Sequence, residues 1–399
     1  MSVSDAVVLA AGEGQRLRPL THNRPKPMLP AANRPIAAHV LDVMIEAGLE
    51  RITMVVGYRR DRVQDRFGSD YRGVPIRYVA QEKQLGSGHA LAQAQQAVSD
   101  RFLVVNGDQL IEPGIVADVL EAVESRDLAA AMAVIRSEEA SRYGAVRLDG
   151  DNVTELVERP DDDSYRLLNA GVYALDGAIF EAIGRTPSID GERRLPDAIA
   201  TLIDDGAPVH GVLTDGEWID ATYPWDLLSV SRHVLEQGRP AGAEDDASTG
   251  IWIDPSARID EAATVRAPVA IGPDWEIGPG AVVGPETALG RNVTLGAGSV
   301  VQRSVLDDDV RVGPNATLLD CVAGQGVHLG AGTVVPGGSG DVRVGDRVFE
   351  GRTLGAVFGD RARAIGDVSV SPGTLVGPNA LLSAGARIDR NVPTDGEVR

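Results

Sequence analysis

The chain has one cysteine, Cys321, in 399 residues. A lone thiol excludes an internal disulfide and cannot by itself build a thiolate metal site, so Cys321 reads as a small buried apolar residue. Lysine is nearly as scarce: of 38 basic residues only Lys26 and Lys83 are lysines. No apolar run approaches the roughly 20 residues of a membrane-spanning helix. The opening MSVSDAVVLAAG lacks the basic, apolar and small-residue succession of a secretory signal. A soluble, cytoplasmic protein with no membrane partner is expected. Positive charge is also missing, with a formal net charge of -20, which argues against a nucleic-acid partner because phosphate contacts need a basic face. Any phosphate ligand must therefore meet a local cluster of cations. An Asp-rich, Lys-poor surface reads as adaptation to high salt, where screening tolerates acidity. A GC-rich genome also favours Arg over Lys.

What is present divides at about residue 235. Before it, short β-rich runs alternate with amphipathic segments. AVVLA (6–10), RITMVV (51–56), IRYVA (76–80) and FLVVNGD (102–108) read as strands, and IAAHVLDVMIEAG, HALAQAQQAV and GIVADVLEAVES as helices between them. This is the pattern of a wound α/β sheet, which binds ligands beyond the carboxyl ends of its strands.

From Ile251 onward the period becomes six. Aliphatic residues recur at Ile253, Ile259, Val265, Ile271, Ile277, Val283, Leu289, Leu295 and Val301, and Gly272, Gly278, Gly284, Gly290 and Gly296 each follow one directly. Such a repeat gives one short strand and one corner per side of a triangular coil, a left-handed parallel β-helix with the aliphatic residue inside. The phase slips near Leu306 and between Val335 and Leu354, then resumes at Val370, Val376, Leu382 and Ile388. The irregular GGSGDVRVGDRVFEGRTLG is expected to be a loop that leaves the coil or changes its face. The expected organisation is a domain over 1–235, a polar linker over 236–250 and the coil over 251–399.

Between Leu9 and Pro30 lies LAAGEGQRLRPLTHNRPKPMLP, with two glycines, four basic residues, four prolines and no helix-forming run. A glycine-rich turn after a strand presents backbone N–H groups in a concave array that phosphate can approach closely at Gly12 and Gly14. Arg16 and Lys26 follow it. A dinucleotide-binding fingerprint fits poorly, since GEGQRL lacks the third glycine and runs into Pro19, and the Lys-Ser/Thr of a Walker loop is absent.

The segments LAAGEGQRLRPLT and RPKPMLP, then QEKQLGSGHA (81–90), VVNGD (104–108), YGAV (143–146), VERP (157–160), NAGVY (169–173) and WIDATYPWDLL (218–228), closely resemble the motifs of sugar-1-phosphate nucleotidylyltransferases. The resemblance covers the first domain, and a repeat domain after it resembles a long subgroup that includes bifunctional enzymes with an acetyltransferase activity. It implies a Rossmann-like nucleotidyltransferase domain followed by the β-helix. The implied substrates are a nucleoside triphosphate, UTP or dTTP, and a sugar-1-phosphate, whose oxygen attacks the α-phosphorus as pyrophosphate departs.

The resemblance also implies roles. Arg16 and Lys26 would meet the phosphates, with the backbone at Leu9, Ala11, Gly12 and Gly14 around the nucleotide. Asp108 and Asp220 would share one Mg²⁺, the implied cofactor. Gln81 and the Gly86 backbone would read a pyrimidine base, and Gly144, Glu158 and Asn169 the sugar. Arg159 stands where relatives often carry lysine, offering the sugar phosphate a guanidinium fork. Thr222 stands where glycine is usual. In the repeats, Pro314 and Thr317 occupy the places of the His-x-x-Tyr pair of the bifunctional relatives, and neither asparagine nor lysine follows Thr333. His328 reads as a solvated rung residue. The coil is therefore expected to be a scaffold for a homotrimer or higher homo-oligomer, contributing no residue to the first site. A bifunctional uridylyltransferase and acetyltransferase is the alternative, and a non-catalytic nucleotide-sugar sensor subunit a second.

Overall fold

The computed structural model describes residues 3–240 and 249–399. Most of the linker expected over 236–250 falls on 241–248, outside the described residues. Two compact units form, and they do not follow chain order. One comprises Met1–Glu13 and Ile36–Ile219, the other Gly14–Pro35 and Asp220–Arg399.

The first unit is built on a ten-stranded sheet. At its centre Asp5–Ala10 lies parallel to Arg51–Val56 and to Arg101–Asn106, and Arg51–Val56 lies parallel to Val74–Ala80. Val7, Val8, Val55, Val104 and Val105 are fully buried, as runs without polar alternation require when both faces of a parallel sheet are covered. Leu167–Asp176 runs antiparallel to Arg101–Asn106 and to Ala130–Arg136. The expected helices appear as Ile36–Glu46, Ser87–Gln93 and Pro113–Ser125. The last has proline in its first turn and buries Ile115, Val116, Val119 and Val123 along one stripe. The middle helix is shorter than HALAQAQQAV suggests. The Ala94 N–H bonds the Leu91 carbonyl, and the chain tightens into a 3₁₀ turn over Gln95–Ala97.

In the second unit the coil is a left-handed β-helix with three faces of parallel strands. The first face runs from Ile251–Ile253 to Thr374–Val376, the second from Arg258–Ile259 to Glu397–Val398, and the third from Thr264–Val265 to Arg387–Ile388. Pairings such as Ile271↔Leu289 set an eighteen-residue turn, while Leu289↔Leu306 and Leu306↔Ala323 are one residue shorter. The slip near Leu306 is thus a shortened turn: the first-face strand shrinks from Thr287–Leu289 to Val305–Leu306 and the interior register survives. Two expectations need correction. Ile253 is 40% exposed, because the first turn has no coil beneath it, and Trp252 is the buried residue there. The segment read as irregular is a hairpin, Ser339–Val344 against Arg347–Thr353, closed by the two-residue turn Gly345–Asp346. It leaves after the third face and returns to the first, so the order of faces is kept.

The corners also account for part of the acidity. Asp274, Asn292, Asp309, Asn315, Asp320, Asp367, Asn379 and Asp395 all have positive φ, the left-handed conformation that Asp and Asn tolerate better than other side chains.

The outward residues of the first face, Trp252, Ala270, Ala288, Val305, Val322, Val357 and Leu375, are all buried. Within the same unit, helix Asp226–Glu236 packs on Thr287–Leu289 and Val305–Leu306, and hairpin strand Ser339–Val344 packs on Thr374–Val376. The helix also holds the opening loop: Ser231 accepts the Ala32 N–H at 2.9 Å.

Cys321 is fully buried, and burial pushes its thiol up to about 12. Ellman's reagent at pH 8 should therefore leave the native protein untouched and titrate one thiol per chain only once the coil is unfolded.

Candidate active site

In the first unit the carboxyl ends of three strands carry predicted site residues. Asp5–Ala10 delivers Leu9, Ala11 and Gly12, Val74–Ala80 delivers Gln81, and Arg101–Asn106 delivers Asp108 through Gly107. Gly107 fits because its N–H bonds the Leu9 carbonyl at 2.9 Å, and a Cβ there would lie 2.8 Å from Val8 Cγ1. Asp108 is half-buried and has an interaction partner.

Gln81 is buried and its amide donates to the Gly86 carbonyl at 3.1 Å, with Nε2 also 2.9 Å from His89 Nδ1. Gly86 has φ 95°, and a Cβ would fall 2.4 Å from the Arg193 carbonyl oxygen. Glycine is obligatory there on both counts. The Arg193 carbonyl accepts the Gly88 N–H, and Arg193 N–H bonds Leu85, fixing the turn that carries Gln81's partner. Burial and Arg193 hold the His89 imidazole below its usual pKa, so it stands neutral beside Gln81. Gln84 donates to the Ala11 carbonyl at 3.2 Å.

A second group forms where strands Gly144–Asp149 and Asn152–Glu158 pair Gly144 with Glu158. A Cβ on Gly144 would lie 3.3 Å from Asn169 Cβ and from Glu158 Oε2, so Gly144, Glu158 and Asn169 converge. Asn169 is buried, donates to the Tyr173 hydroxyl at 2.6 Å and accepts the Gly171 N–H at 3.1 Å. The strand is irregular between Asn169 and Tyr173, with Gly171 at φ 72°, which brings both side chains to one side. Arg159 is exposed, has φ 48°, and its Nε lies 3.5 Å from Glu158 Oε1.

In the second unit Gly14 has φ 71°, and a Cβ there would approach Lys26 Cβ to 2.8 Å and Thr21 Cγ2 to 3.2 Å. The Thr21 hydroxyl donates to the Gly14 carbonyl at 2.8 Å. The loop read as lacking helix former contains three 3₁₀ turns, Gln15–Leu17, Leu20–His22 and Lys26–Met28. Arg16 is exposed and has no side-chain partner among the described residues. Lys26 Nζ lies 2.6 Å from Asp220 Oδ1, with side chains 12% and 11% exposed. The other Asp220 oxygen accepts the Thr222 hydroxyl at 2.5 Å, a bond that glycine at 222 could not make. The Asp226 carboxylate takes the Thr222 and Tyr223 N–H groups at 3.0 and 2.7 Å, and burial pushes it up to about 6. Lys83 is exposed.

Sequence reasoning missed several supports. Gly57 lies where a Cβ would meet the Ala11 and Gln81 carbonyl oxygens at 2.9 and 3.2 Å. Trp218 donates to the Ala170 carbonyl at 2.9 Å and meets Tyr143 edge-on. Its place in WIDATYPWDLL was the available signal; Gly57 had none.

The two loop glycines should separate in stability measurements. Gly14→Ala forces a left-handed alanine against Lys26 and should cost ~1–2 kcal/mol in urea unfolding. Gly12→Ala should be near neutral, since a Cβ there meets nothing within 4 Å.

The sequence profile described as nucleotidyl transferase matches residues 5–237, and that of the GMPPB C-terminal domain matches 265–363. The "Bifunctional protein GlmU" of Methanococcus maripaludis is 35% identical over 407 residues, covering 97% of this chain and 95% of the relative. The "UTP--glucose-1-phosphate uridylyltransferase AglF" of Haloferax volcanii is 35% identical over 235 residues, 58% of this chain and 97% of the relative. Among solved structures, a UDP-glucose pyrophosphorylase complexed with UDP-glucose shares the fold with TM-score 0.55 at 23% identity, covering 59% of this chain and 99% of that one. Motifs, fold and full-length similarity agree: the chain belongs to the nucleotidyl transferase family, as a sugar-1-phosphate nucleotidylyltransferase with a C-terminal repeat domain.

Proposed function

We propose that the chain joins a sugar-1-phosphate, such as glucose-1-phosphate, to the nucleotidyl group of UTP or dTTP and releases pyrophosphate. The observation that carries this reading is the Lys26–Asp220 pair, a nearly buried ammonium held 2.6 Å from a carboxylate in the loop that Gly14 opens. A cation fixed in a dry setting stabilises phosphate charge far better than one in water. The sugar-phosphate oxygen bonds to the α-phosphorus while the bond to pyrophosphate breaks. Lys26 meets the charge rising on the phosphates, and Arg16 reaches the triphosphate from solvent. The backbone at Leu9, Ala11, Gly12 and Gly14 lines the nucleotide, and open space over Gly12 leaves room for it. Gln81 and the Gly86 backbone are proposed to read the pyrimidine edge, with Glu158, Asn169 and the Gly144 backbone on sugar hydroxyls and Arg159 on the sugar phosphate.

Mg²⁺ is proposed to be held by Asp108 and Asp220. Among the described residues no three His, Cys, Asp or Glu cluster, which suits a hard cation bound by one or two carboxylates and completed by substrate phosphates. Asp220 fits, since each of its oxygens accepts one bond and keeps lone-pair capacity. The ion would neutralise phosphate charge.

An acetyl-transferring activity is not favoured. His328 is exposed and lies in register between Arg311 and Arg363, with no carboxylate partner among the described residues to orient it as a base. Self-association, proposed as a trimer, would use the third face, whose outward Val282, Val300 and Val334 are not fully buried, because the first is covered within the chain.

Pyrophosphate release should appear in molar salt with UTP or dTTP and a sugar-1-phosphate, and not with ATP or GTP. Asp108→Asn should lower turnover at least about a hundredfold, the scale of losing a transition-state electrostatic contact; near-normal turnover at saturating Mg²⁺ would sink the metal assignment. Lys26→Arg should also be strongly impaired, as a planar guanidinium cannot occupy the compact place of the ammonium. Light scattering in molar salt should give the mass of a trimer, and a monomer there would rule out the assembly.

A further inference from the structure

The loop that carries Lys26 has a second basic residue turned away from it. Arg24 is only 13% exposed in its side chain and reaches two carboxylates of the coil, Asp307 and Asp360. Its Nη2 lies 2.7 Å from Asp360 Oδ1, and Nη1 bonds Asp307 Oδ2. These acids follow first-face strands Val305–Leu306 and Ala356–Phe358, and the strand between them in the sheet, Val322–Ala323, ends at Gly324. A Cβ at Gly324 would lie 2.5 Å from Asp360 Oδ1. The coil corner is therefore shaped to leave both carboxylates to the guanidinium. Burial alone would push Arg24 down, yet the two acids raise it above its usual value, so it stays charged. Between Arg24 and Lys26 stands only Pro25, whose ring fixes φ at -74°. Where Arg24 is anchored, Lys26 is aimed.

The other end of the Lys26–Asp220 pair is held independently. Tyr223 and Trp225 stack at 4.7 Å, and Phe349 of the hairpin packs on both, at 4.6 and 5.1 Å between ring centroids. Arg352 of the same hairpin lies over the Trp225 ring. The turn these rings fix is the one in which Thr222 bonds Asp220. The hairpin is an insertion that the coil's own stacking does not need, and its tip residue is spent on this turn.

From these two attachments we infer that the coil positions the Lys26–Asp220 pair, with Arg24 and Phe349 as the positioning residues. The β-helix is then a working part of the phosphate-handling site as well as a scaffold. The inference rests on the nucleotidyl-transfer reading for its kinetic consequence, but its structural content is separable.

The test uses the full chain in molar salt with Arg24→Ala and Phe349→Ala, each checked by circular dichroism for an intact coil. Hydrogen exchange should rise in both variants on peptides covering 14–35 and 220–225, including on 14–35 in Phe349→Ala, although that substitution lies in the hairpin. With UTP and glucose-1-phosphate, kcat should fall about tenfold or more while KM for glucose-1-phosphate stays within about twofold, because the pair acts on transition-state charge and the sugar residues lie elsewhere. Phe349→Tyr, which keeps the ring, should restore both readouts, and Arg24→Lys, which can satisfy one carboxylate, should be intermediate. Unchanged exchange on 14–35 and 220–225 in both variants overturns the inference. So does a kcat loss that merely tracks unfolded fraction and is no better in Phe349→Tyr. If exchange rises as expected while even the unaltered chain releases no pyrophosphate from any substrate pair, the coupling stands and the nucleotidyl-transfer reading fails.

Discussion

A loop of twenty-two residues, Gly14–Pro35, with no α-helix and only one pair of two-residue strands, has to present charged groups to phosphate with fixed geometry, and its own backbone cannot hold it. Lys26 can work only if something else orders the loop, since a free lysine side chain and a mobile backbone would lose too much entropy on binding. The Lys26–Asp220 pair meets this constraint at one atom. Arg24 on its two coil carboxylates and Ser231 on the Ala32 amide meet it for the loop as a whole. The division into compact units follows from the same need: the loop joins the coil and the helix Asp226–Glu236 because those are the partners that order it.

The first unit solves a different problem, bringing backbone close to backbone at strand ends. Gly57, Gly86, Gly107 and Gly144 each stand where a Cβ would strike a carbonyl oxygen or a site side chain. Their common role is to let neighbouring segments approach without a gap, so that Gln81 lies against the Gly86 turn and Glu158 beside Asn169. The polar side chains are then satisfied among themselves. Gln81 is bonded to Gly86 and close to His89, and Asn169 is bonded to Tyr173 and Gly171. Buried amides tied this way hold one rotamer, which recognition of a base or a sugar hydroxyl requires.

Acidity has two physical origins in this chain. Part serves the coil: corner positions need left-handed backbone, and Asp and Asn supply it at Asp274, Asp309, Asp320, Asp367 and Asp395. Part is paired: Asp307, Asp360 and Asp320 are held by Arg24 and Arg303. A net charge of -20 therefore reflects fold geometry as well as any salty setting, and the composition alone could not separate the two.

The sequence by itself determined the strands and helices of the first unit, the coil from its six-residue period, and the residue types of the site, because periodicity and glycine-rich motifs are local properties of a chain. It also contained the hairpin, in the Gly345–Asp346 turn between the alternating runs Val342–Val344 and Val348, though the lapse in the period hid it. Only the tertiary structure decided which side chains meet. Arg24 reads in sequence as one more cation of a phosphate loop, yet it is bound to acids 283 and 336 residues away. Phe349 reads as part of an irregular excursion, yet it packs on rings next to Asp220. Contacts over such separations leave no period and no motif. They depend on where two independently folded segments come to rest, and that is fixed by burial of the first coil face rather than by any local propensity.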